Sequence, residues 1–323
     1  MSGALRERLE RLRAQAAAAK AAEEAYAEQT KADTAPGDGD RGTEAARSPA
    51  GLGGEGPDAV AKVQKEASAS SGLHPSFARL GVEQTANEFG SFLLRRLAYP
   101  LDSRHGLYKL RELLDYAPWL EPVASRQNKE ADDLSGLPIE AGRLLFLDTE
   151  TTGLGVGAGN VPFMIGIGYV EPAEGKLYVE QTLIRHPGEE KAMLHYLLGQ
   201  MANRTHLVTY NGRSFDWPVL AGRYILNGWR RKGPEPGHLD FLHPSRALWR
   251  NTLESCRLSR IEQDRLGIAR EEDVPGSLAP ELYVRFLGDG DAAHLEGVYL
   301  HNERDVLTLV TLATHFGALL AGS

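Results

Sequence analysis

The chain has 323 residues, and its 44 acidic and 36 basic side chains give a formal net charge of −8. This balance counts against a strong nonspecific nucleic-acid binder, although local basic patches still suit phosphate contacts. The single cysteine, Cys256, excludes an intrachain disulfide and suits a reducing cytosol. We expect a cytoplasmic protein without a membrane segment, because the chain starts with charged residues and no apolar run approaches membrane-spanning length.

Residues 1–75 differ in composition from the rest of the chain and predict a tail. Its first part is helix-prone, with Leu5, Leu9 and Leu12 at helical spacing, and its second part is rich in Gly, Ala, Pro and Ser. The second part is therefore expected to be disordered. The helix-prone part is either a solvated helix that is unstable alone or a docking helix for a protein partner.

Two further segments follow the tail. Residues 76–134 carry enough large apolar side chains to pack, and we interpret them as a helical N-terminal extension that lies against the core. Residues 135–323 are predicted to form one folded domain.

The first strand of that domain ends in two acids. The apolar run Leu144–Leu147 predicts a buried strand, and Asp148 and Glu150 follow it one residue apart. Residues i and i+2 of a strand share a face, so both carboxylates project side by side. Their mutual repulsion indicates a shared cation, and an all-oxygen site favours Mg²⁺ or Mn²⁺. The alternative is a solvated strand end at which each acid caps a turn.

The elements after this strand alternate between strand and helix patterns. Residues 161–170 and 177–184 predict an antiparallel hairpin, because a short turn joins them. Residues 189–201 then predict a helix that leads into a strand at 207–210. This order predicts an α/β domain with a mixed sheet flanked by helices.

Two later segments carry further acids. Asn211 and Gly212 mark a turn, and Asp216 falls in the first turn of the helix that follows. His301 and Asp305 are spaced i, i+4 and share one face of a long C-terminal helix. The plainer interpretations are an acid that complements a helix dipole and an ordinary surface pair.

Together and in this order, these segments resemble the DEDD superfamily of 3′–5′ exonucleases, whose fold is ribonuclease H-like. The first motif, Asp-x-Glu-Thr-Thr-Gly, is matched by residues 148–153, and the second, Asn-x-x-x-Phe-Asp, by residues 211–216. The third is matched by Asp305. Over about residues 80–320 the chain is more specifically similar to the YprB-like bacterial branch of ribonuclease H-like proteins. The segments that carry this similarity are 238–244, 256–259, 273–277 and 301–305.

The resemblance implies a mixed five-stranded sheet and hydrolysis of phosphodiester bonds with two divalent cations, Mg²⁺ or Mn²⁺. It implies that all four acids are catalytic metal ligands, with Asp148 shared by both cations. The acids are Asp148, Glu150, Asp216 and Asp305. Substrate contacts are expected from residues in and beside the first two motifs, namely Thr151, Asn211, Arg213 and Phe215.

One position departs from the pattern. One DEDD subgroup has a histidine five residues before the last aspartate, where this chain has Leu300, and the other has a tyrosine four residues before it, where this chain has His301. A neutral imidazole accepts a proton from water near pH 7. We therefore expect His301 to position or deprotonate the attacking water, with a structural role as the alternative.

The sequence thus predicts a metal-dependent 3′–5′ exonuclease that acts on single-stranded 3′ ends of DNA or RNA. The alternative is a noncatalytic ribonuclease H-like module that binds nucleic acid or a protein. Four intact acids favour the enzyme, because a binder has no need to crowd carboxylates at one place. The acidic net charge and the histidine at position 301 leave the second possibility open.

Overall fold

A computed structural model describes most of the chain beyond the tail, in residues 73–128, 138–153, 159–229, 236–270 and 273–322. The tail predicted for residues 1–75 lies almost wholly outside these ranges and stays a prediction.

Seven strands form one mixed sheet in the order β1-β2-β7-β6-β5-β8-β9. They are β1 (Val82–Asn87), β2 (Gly90–Pro100), β5 (Leu144–Thr151), β6 (Pro162–Glu171), β7 (Lys176–Leu183), β8 (His206–Thr209) and β9 (Gly237–Asp240). A small hairpin of β3 (Arg104–His105) and β4 (Tyr108–Lys109) lies outside this sheet. Every pair from β1 to β5 is antiparallel, whereas β5 with β8 and β8 with β9 are parallel.

Helices surround the sheet. They are α1 (Ser76–Arg79), α2 (Glu112–Tyr116), α3 (Glu121–Gln127), α4 (Glu190–Met201), α5 (Asp216–Leu226), α6 (Leu242–Trp249), α7 (Leu258–Ile261), α8 (Ala279–Asp289) and α9 (Glu296–Ala321). A π-helical turn, Glu262–Leu266, continues α7. Short 3₁₀ turns occur at Ala117–Leu120, Ala141–Arg143, Pro172–Glu174, Pro187–Glu189, Gly276–Leu278 and Ala292–Leu295. The α/β class, the mixed sheet and the flanking helices are therefore confirmed.

The helical extension predicted for residues 76–134 is wrong in its first half. β1 and β2 form a hairpin there, and β2 pairs with β7 from Leu93↔Leu183 to Pro100↔Lys176. The sequence of β2 is rich in Leu, Arg and Ala, which favour helices, but pairing along the edge of a sheet overrides that propensity. The sheet accordingly has seven strands where five were expected. Only the second half, with α2 and α3, is helical.

The central strand β5 is buried on both faces, as its apolar sequence predicts. Leu144 and Phe146 pack into one core layer, and Leu145 and Leu147 pack into the layer on the opposite face. The predicted hairpin is confirmed as β6 and β7, and the predicted helix before β8 is α4. Parallel pairing of β8 and β9 uses α5 as the crossover helix.

The last helix is the longest and one of the most apolar elements. By its length, and by the mean hydropathy of 1.2 in its most apolar 18-residue window, the segment Ala292–Ala321 is long and apolar enough to cross a membrane, so the expectation that no run reaches that length is wrong. Within the protein, 67% of its most apolar window is buried. Val306 and Val310 of this helix pack in the same core layer as Phe146. Such burial is typical of a core helix.

Candidate active site

The end of β5 extends beyond its parallel neighbour. The ladder with β8 stops at Phe146↔Val208, whereas the ladder with β6 continues past Asp148 and Glu150. Asp148 and Glu150 have the same strand parity as Phe146, so both project toward the face that α9 covers. The predicted placement of two carboxylates side by side at the end of a core strand is therefore present in the structure.

Asp216 hydrogen-bonds to β5 just beyond the point where pairing with β8 stops. Its Oδ1 accepts hydrogen bonds from the Thr149 backbone N–H at 3.1 Å and from Thr149 Oγ1 at 2.5 Å. The amide at this point has no partner in β8, and the carboxylate satisfies it. Asp216 is the first residue of α5 and is buried. This fixes the third acid beside the first two.

Asp240, which the sequence analysis did not assign to the site, holds the turn that precedes α5. Its Oδ1 accepts the N–H of Asn211 at 2.9 Å and its Oδ2 accepts the N–H of Arg213 at 3.0 Å. Asn211 has a φ of 67°, a left-handed conformation that Asn tolerates better than most residues. In the sequence, the only indication of this role is that Asp240 is an acid at the end of a strand, β9.

The residues predicted to contact substrate differ in how exposed they are. Asn211 and Arg213 are exposed, and Phe215 is half-buried. Thr151 is buried, and its hydroxyl donates to the Gly153 carbonyl at 2.6 Å, so the turn itself uses this group. Substrate contact by these residues stays a prediction.

Asn302, on the buried face of α9, ties the helix to the catalytic strand. Its Nδ2 donates to Asp148 Oδ2 at 2.9 Å, and its Oδ1 accepts from Gln181 Nε2 at 2.9 Å. The sequence motif contained this residue without indicating its role. Asn302 packs against Gly166 of β6, the strand residue paired with Asp148.

Replacing Gly166 by Ala is expected to lower the free energy of unfolding by about 1–3 kcal/mol, the range for overpacking a core. The added Cβ would lie 2.1 Å from Asn302 Oδ1. The side-chain amide of Asn302 must therefore move, and its hydrogen bond to Asp148 breaks. Urea denaturation measures the change. Gly199→Ala is the matched control, because nothing lies within 4 Å of that Cβ and a helical Gly→Ala change adds about 0.5–1 kcal/mol. Equal stability of Gly166→Ala and wild type would contradict this account.

Asp305 and His301 both face the acids from α9, one turn apart. The His301 Nδ1 lies 3.0 and 3.1 Å from the two carboxylate oxygens of Asp273, and its Nε2 lies 3.7 Å from Asp305 Oδ2. The same Nδ1 lies 3.3 Å from Arg270 Nη1, which can only donate, so the nitrogen has both acceptor and donor neighbours. Asp273 was not among the predicted site residues, although its segment was noted for family resemblance.

Arg270 is a further residue that sequence reasoning missed. Its Nη2 donates to Asp305 Oδ1, and its Nη1 donates to Asp273 Oδ2 at 2.7 Å. The guanidinium also binds the buried carboxylate of Glu262 through Nε and Nη2. No local sequence pattern marks such a residue, because its three partners come from different segments.

The four predicted acids interact strongly. Burial, followed by the charges of Asp305, Glu150 and Asp216, raises the pKa of Asp148 well above its usual value. Burial and the charges of Asp305 and Asp216 do the same for the pKa of Glu150. Burial raises the pKa of Asp216 to about 6, against the hydrogen bonds from Thr149. Burial also raises the pKa of Asp305, more than nearby His301 and Arg270 lower it.

The chemistry of these groups fits a hard divalent cation. They are buried (Glu150, Asp216) or half-buried (Asp148, Asp305) carboxylates that crowd together, and their oxygens are the ligands that Mg²⁺ and Mn²⁺ prefer. Within the described parts of the chain, however, no three acidic, His or Cys side chains are arranged to hold a metal ion as they stand. The ion pair of Asp305 with Arg270 gives one reason, because it directs that carboxylate toward the guanidinium.

Comparison with known proteins agrees with this fold. A family model described as the RNase_H superfamily matches residues 145–317, which include all four acids. The chain belongs to the RNase H superfamily, and this membership supports a nuclease-like, nucleic-acid-related function. The chain is also 42% identical over 226 residues to the uncharacterized protein YprB of Bacillus subtilis (strain 168). The match covers 69% of this chain and 52% of that relative, so the chain spans about half the relative's length.

Proposed function

We propose that the protein is a divalent-cation-dependent 3′–5′ exonuclease of the DEDD type that acts on single-stranded DNA or RNA. The observation that carries this proposal is the convergence of Asp148, Glu150, Asp216 and Asp305 from β5, α5 and α9. The charges of Asp305 and Asp216 add to burial in raising the pKa values of Asp148 and Glu150. Such crowding destabilises the metal-free protein, and carboxylates with strongly shifted pKa values cluster at functional sites.

The four acids have distinct roles in this proposal. Asp148 would contact both of two cations, Mg²⁺ or Mn²⁺, while Glu150 and Asp305 complete the first ligand set and Asp216 the second. Two such cations supply Lewis-acid polarisation of the scissile phosphate and lower the pKa of the attacking water. Asn302 holds one oxygen of Asp148 and Thr149 holds one oxygen of Asp216, so both carboxylates are oriented before substrate arrives.

His301 is suited to take the proton of the attacking water. In the tautomer that this role requires, Nδ1–H donates to Asp273, and Nε2, which lies 3.7 Å from Asp305 Oδ2, is the acceptor. An acid that orients a base in this way is a recurring arrangement in hydrolases.

A cleft of about 580 Å³ lies next to the site on the side of Arg270, and its lining residues do not include the four acids. Arg270 lines this cleft and also forms an ion pair with the Asp305 carboxylate. Arg257, also in the cleft wall, is exposed and has no ion-pair partner among the described residues. An unpaired arginine and the hydroxyls of Ser255 and Ser259 suit a phosphodiester backbone.

His301→Ala is expected to lower kcat by about 10²–10⁴-fold with little change in KM, because general-base catalysis contributes that range. Rates of hydrolysis of a labelled oligonucleotide, measured at saturating and at limiting substrate concentrations, separate kcat from KM. His294→Ala is the matched control, since His294 pairs with Asp289 at the surface. An unchanged kcat in His301→Ala would assign His301 a structural role only.

The direction and mode of cleavage are tested with linear and circular single strands. A 5′-labelled linear strand should shorten by one nucleotide at a time, a phosphorothioate at the 3′ end should block this, and a circular strand should survive. Cleavage of the circle would contradict exonuclease action. Binding of both strands without cleavage, in the presence of Mn²⁺, would support the noncatalytic binding module, which the Arg270–Asp305 ion pair favours.

A further inference from the structure

The guanidinium of Arg270 is enclosed by three carboxylates from separate segments. It binds Glu262 through Nε and Nη2, Asp273 through Nη1 and Asp305 through Nη2. The Arg270 side chain is only 12% exposed. A positive charge is therefore already present beside one of the four acids of the site.

The position of Arg270 is set by groups away from the four acids. Glu262 is fully buried in the π-helical turn, and its Oε1 accepts from Thr308 Oγ1 at 2.5 Å. The same hydroxyl lies 3.1 Å from Nε2 of His105, in the β3–β4 hairpin. The hairpin and the inner face of α9 thus hold the carboxylate that orients the arginine. Glu262 and Asp273 thus bind the guanidinium independently of Asp305.

This arrangement has a consequence for Asp305. One of its oxygens accepts from the guanidinium, so a cation that recruits this carboxylate meets competition from a fixed positive charge. The absence of any three-residue metal-ligating arrangement among the described residues agrees with an Asp305 that is held by its arginine.

We propose that Arg270 is a positioning residue that acts as the resident counter-ion of Asp305, and that a divalent cation takes this carboxylate from it. The proposal rests on the metal-dependent activity proposed above. Arg270 keeps the metal-free site from carrying four uncompensated acids, and it weakens cation binding at Asp305. The Asp305 carboxylate therefore exchanges its arginine partner for a metal cation when the metal binds.

The test uses the full chain, stripped with EDTA, and titrates Mn²⁺ by calorimetry into wild type and Arg270→Met. The variant should bind Mn²⁺ about tenfold more tightly, as expected when a like charge near the ligand is removed. Its melting temperature without metal should fall, because Glu262, Asp273 and Asp305 lose their shared partner. Mn²⁺ should then raise the melting temperature of the variant by more than it raises that of wild type.

Arg223→Met is the matched control. Arg223 forms a partly buried ion pair with Glu190, an acid outside the four-acid site. The melting temperature of this variant should also fall. Mn²⁺ should raise it by no more than it raises that of wild type. A general effect of losing a buried guanidinium is thereby separated from an effect on the cation site.

Equal or weaker Mn²⁺ binding by Arg270→Met would overturn the counter-ion role and leave the proposed nuclease intact. No Mn²⁺ binding by either protein would overturn both. If Arg270→Met fails to fold, Arg270→Gln decides the matter, because Gln removes the charge but keeps an amide that can donate to the neighbouring carboxylates. Tighter binding than wild type is expected there, and equal or weaker binding overturns the proposal.

Discussion

Asp148→Asn is expected to give a metal-free protein that is more stable than wild type and that no longer binds divalent cations. Burial and three neighbouring acids raise the pKa of Asp148, so its ionised form costs folding free energy. The asparagine oxygen still accepts the hydrogen bond from Asn302. Hydrolysis should fall by about 10³-fold or more, because metal stabilisation of a transition state contributes several kcal/mol.

Urea denaturation in EDTA, Mn²⁺ calorimetry and single-strand hydrolysis measure these three properties. Asp289→Asn is the matched control, because Asp289 is an exposed acid that pairs with His294. It should leave Mn²⁺ binding and hydrolysis at wild-type levels. A metal-free Asp148→Asn protein that is less stable than wild type would show that the carboxylates are not in conflict, which contradicts the account of this site.

The stability of the metal-free protein should depend on the ionisation of Asp216. Burial raises its pKa from 3.8 to about 6, so between these pH values the folded state holds a proton that the unfolded chain has released. The folded state binds more protons there, and the free energy of unfolding therefore falls as pH rises. A shift of this size corresponds to about 3 kcal/mol, lost between about pH 4 and pH 6.

The measurement compares wild type with Asp216→Asn by urea denaturation in EDTA from pH 4 to pH 7. The comparison cancels the titration of other carboxylates, such as Asp273, whose pKa the hydrogen bonds from Arg270 and His301 lower despite its burial. Wild type should lose stability relative to Asp216→Asn as pH rises, and saturating Mn²⁺ should abolish the loss because the cation binds the ionised form. A difference that is constant with pH would contradict a raised pKa for Asp216.

Much of the fold and half of the site follow from local sequence patterns. Four apolar residues before Asp148 are sufficient to predict β5, because a strand buried on both faces needs a continuous apolar run. The helical spacing around Asp305 is similarly sufficient to predict α9. In both cases the residues that define the element are neighbours in the chain, so periodicity reports them directly.

The features that sequence reasoning missed depend on distant partners. Asn302 reaches Asp148 across 154 residues and Arg270 reaches Asp305 across 35, and no spacing rule connects such pairs. The same holds for β2, whose helix-favouring residues become a strand because β7 offers an edge to pair with. Tertiary contacts decide these features, and they are visible only once the chain is folded.

The most direct test of the central claim is hydrolysis of a 5′-labelled single strand, as DNA and as RNA, by the EDTA-stripped full chain with and without added Mn²⁺ or Mg²⁺. The account predicts no hydrolysis in EDTA, and stepwise loss of nucleotides from the 3′ end on addition of metal. It also predicts that Asp148→Asn stays inactive under both conditions. Hydrolysis that persists in EDTA, or that Asp148→Asn retains, would contradict a cation-dependent centre built on these four acids.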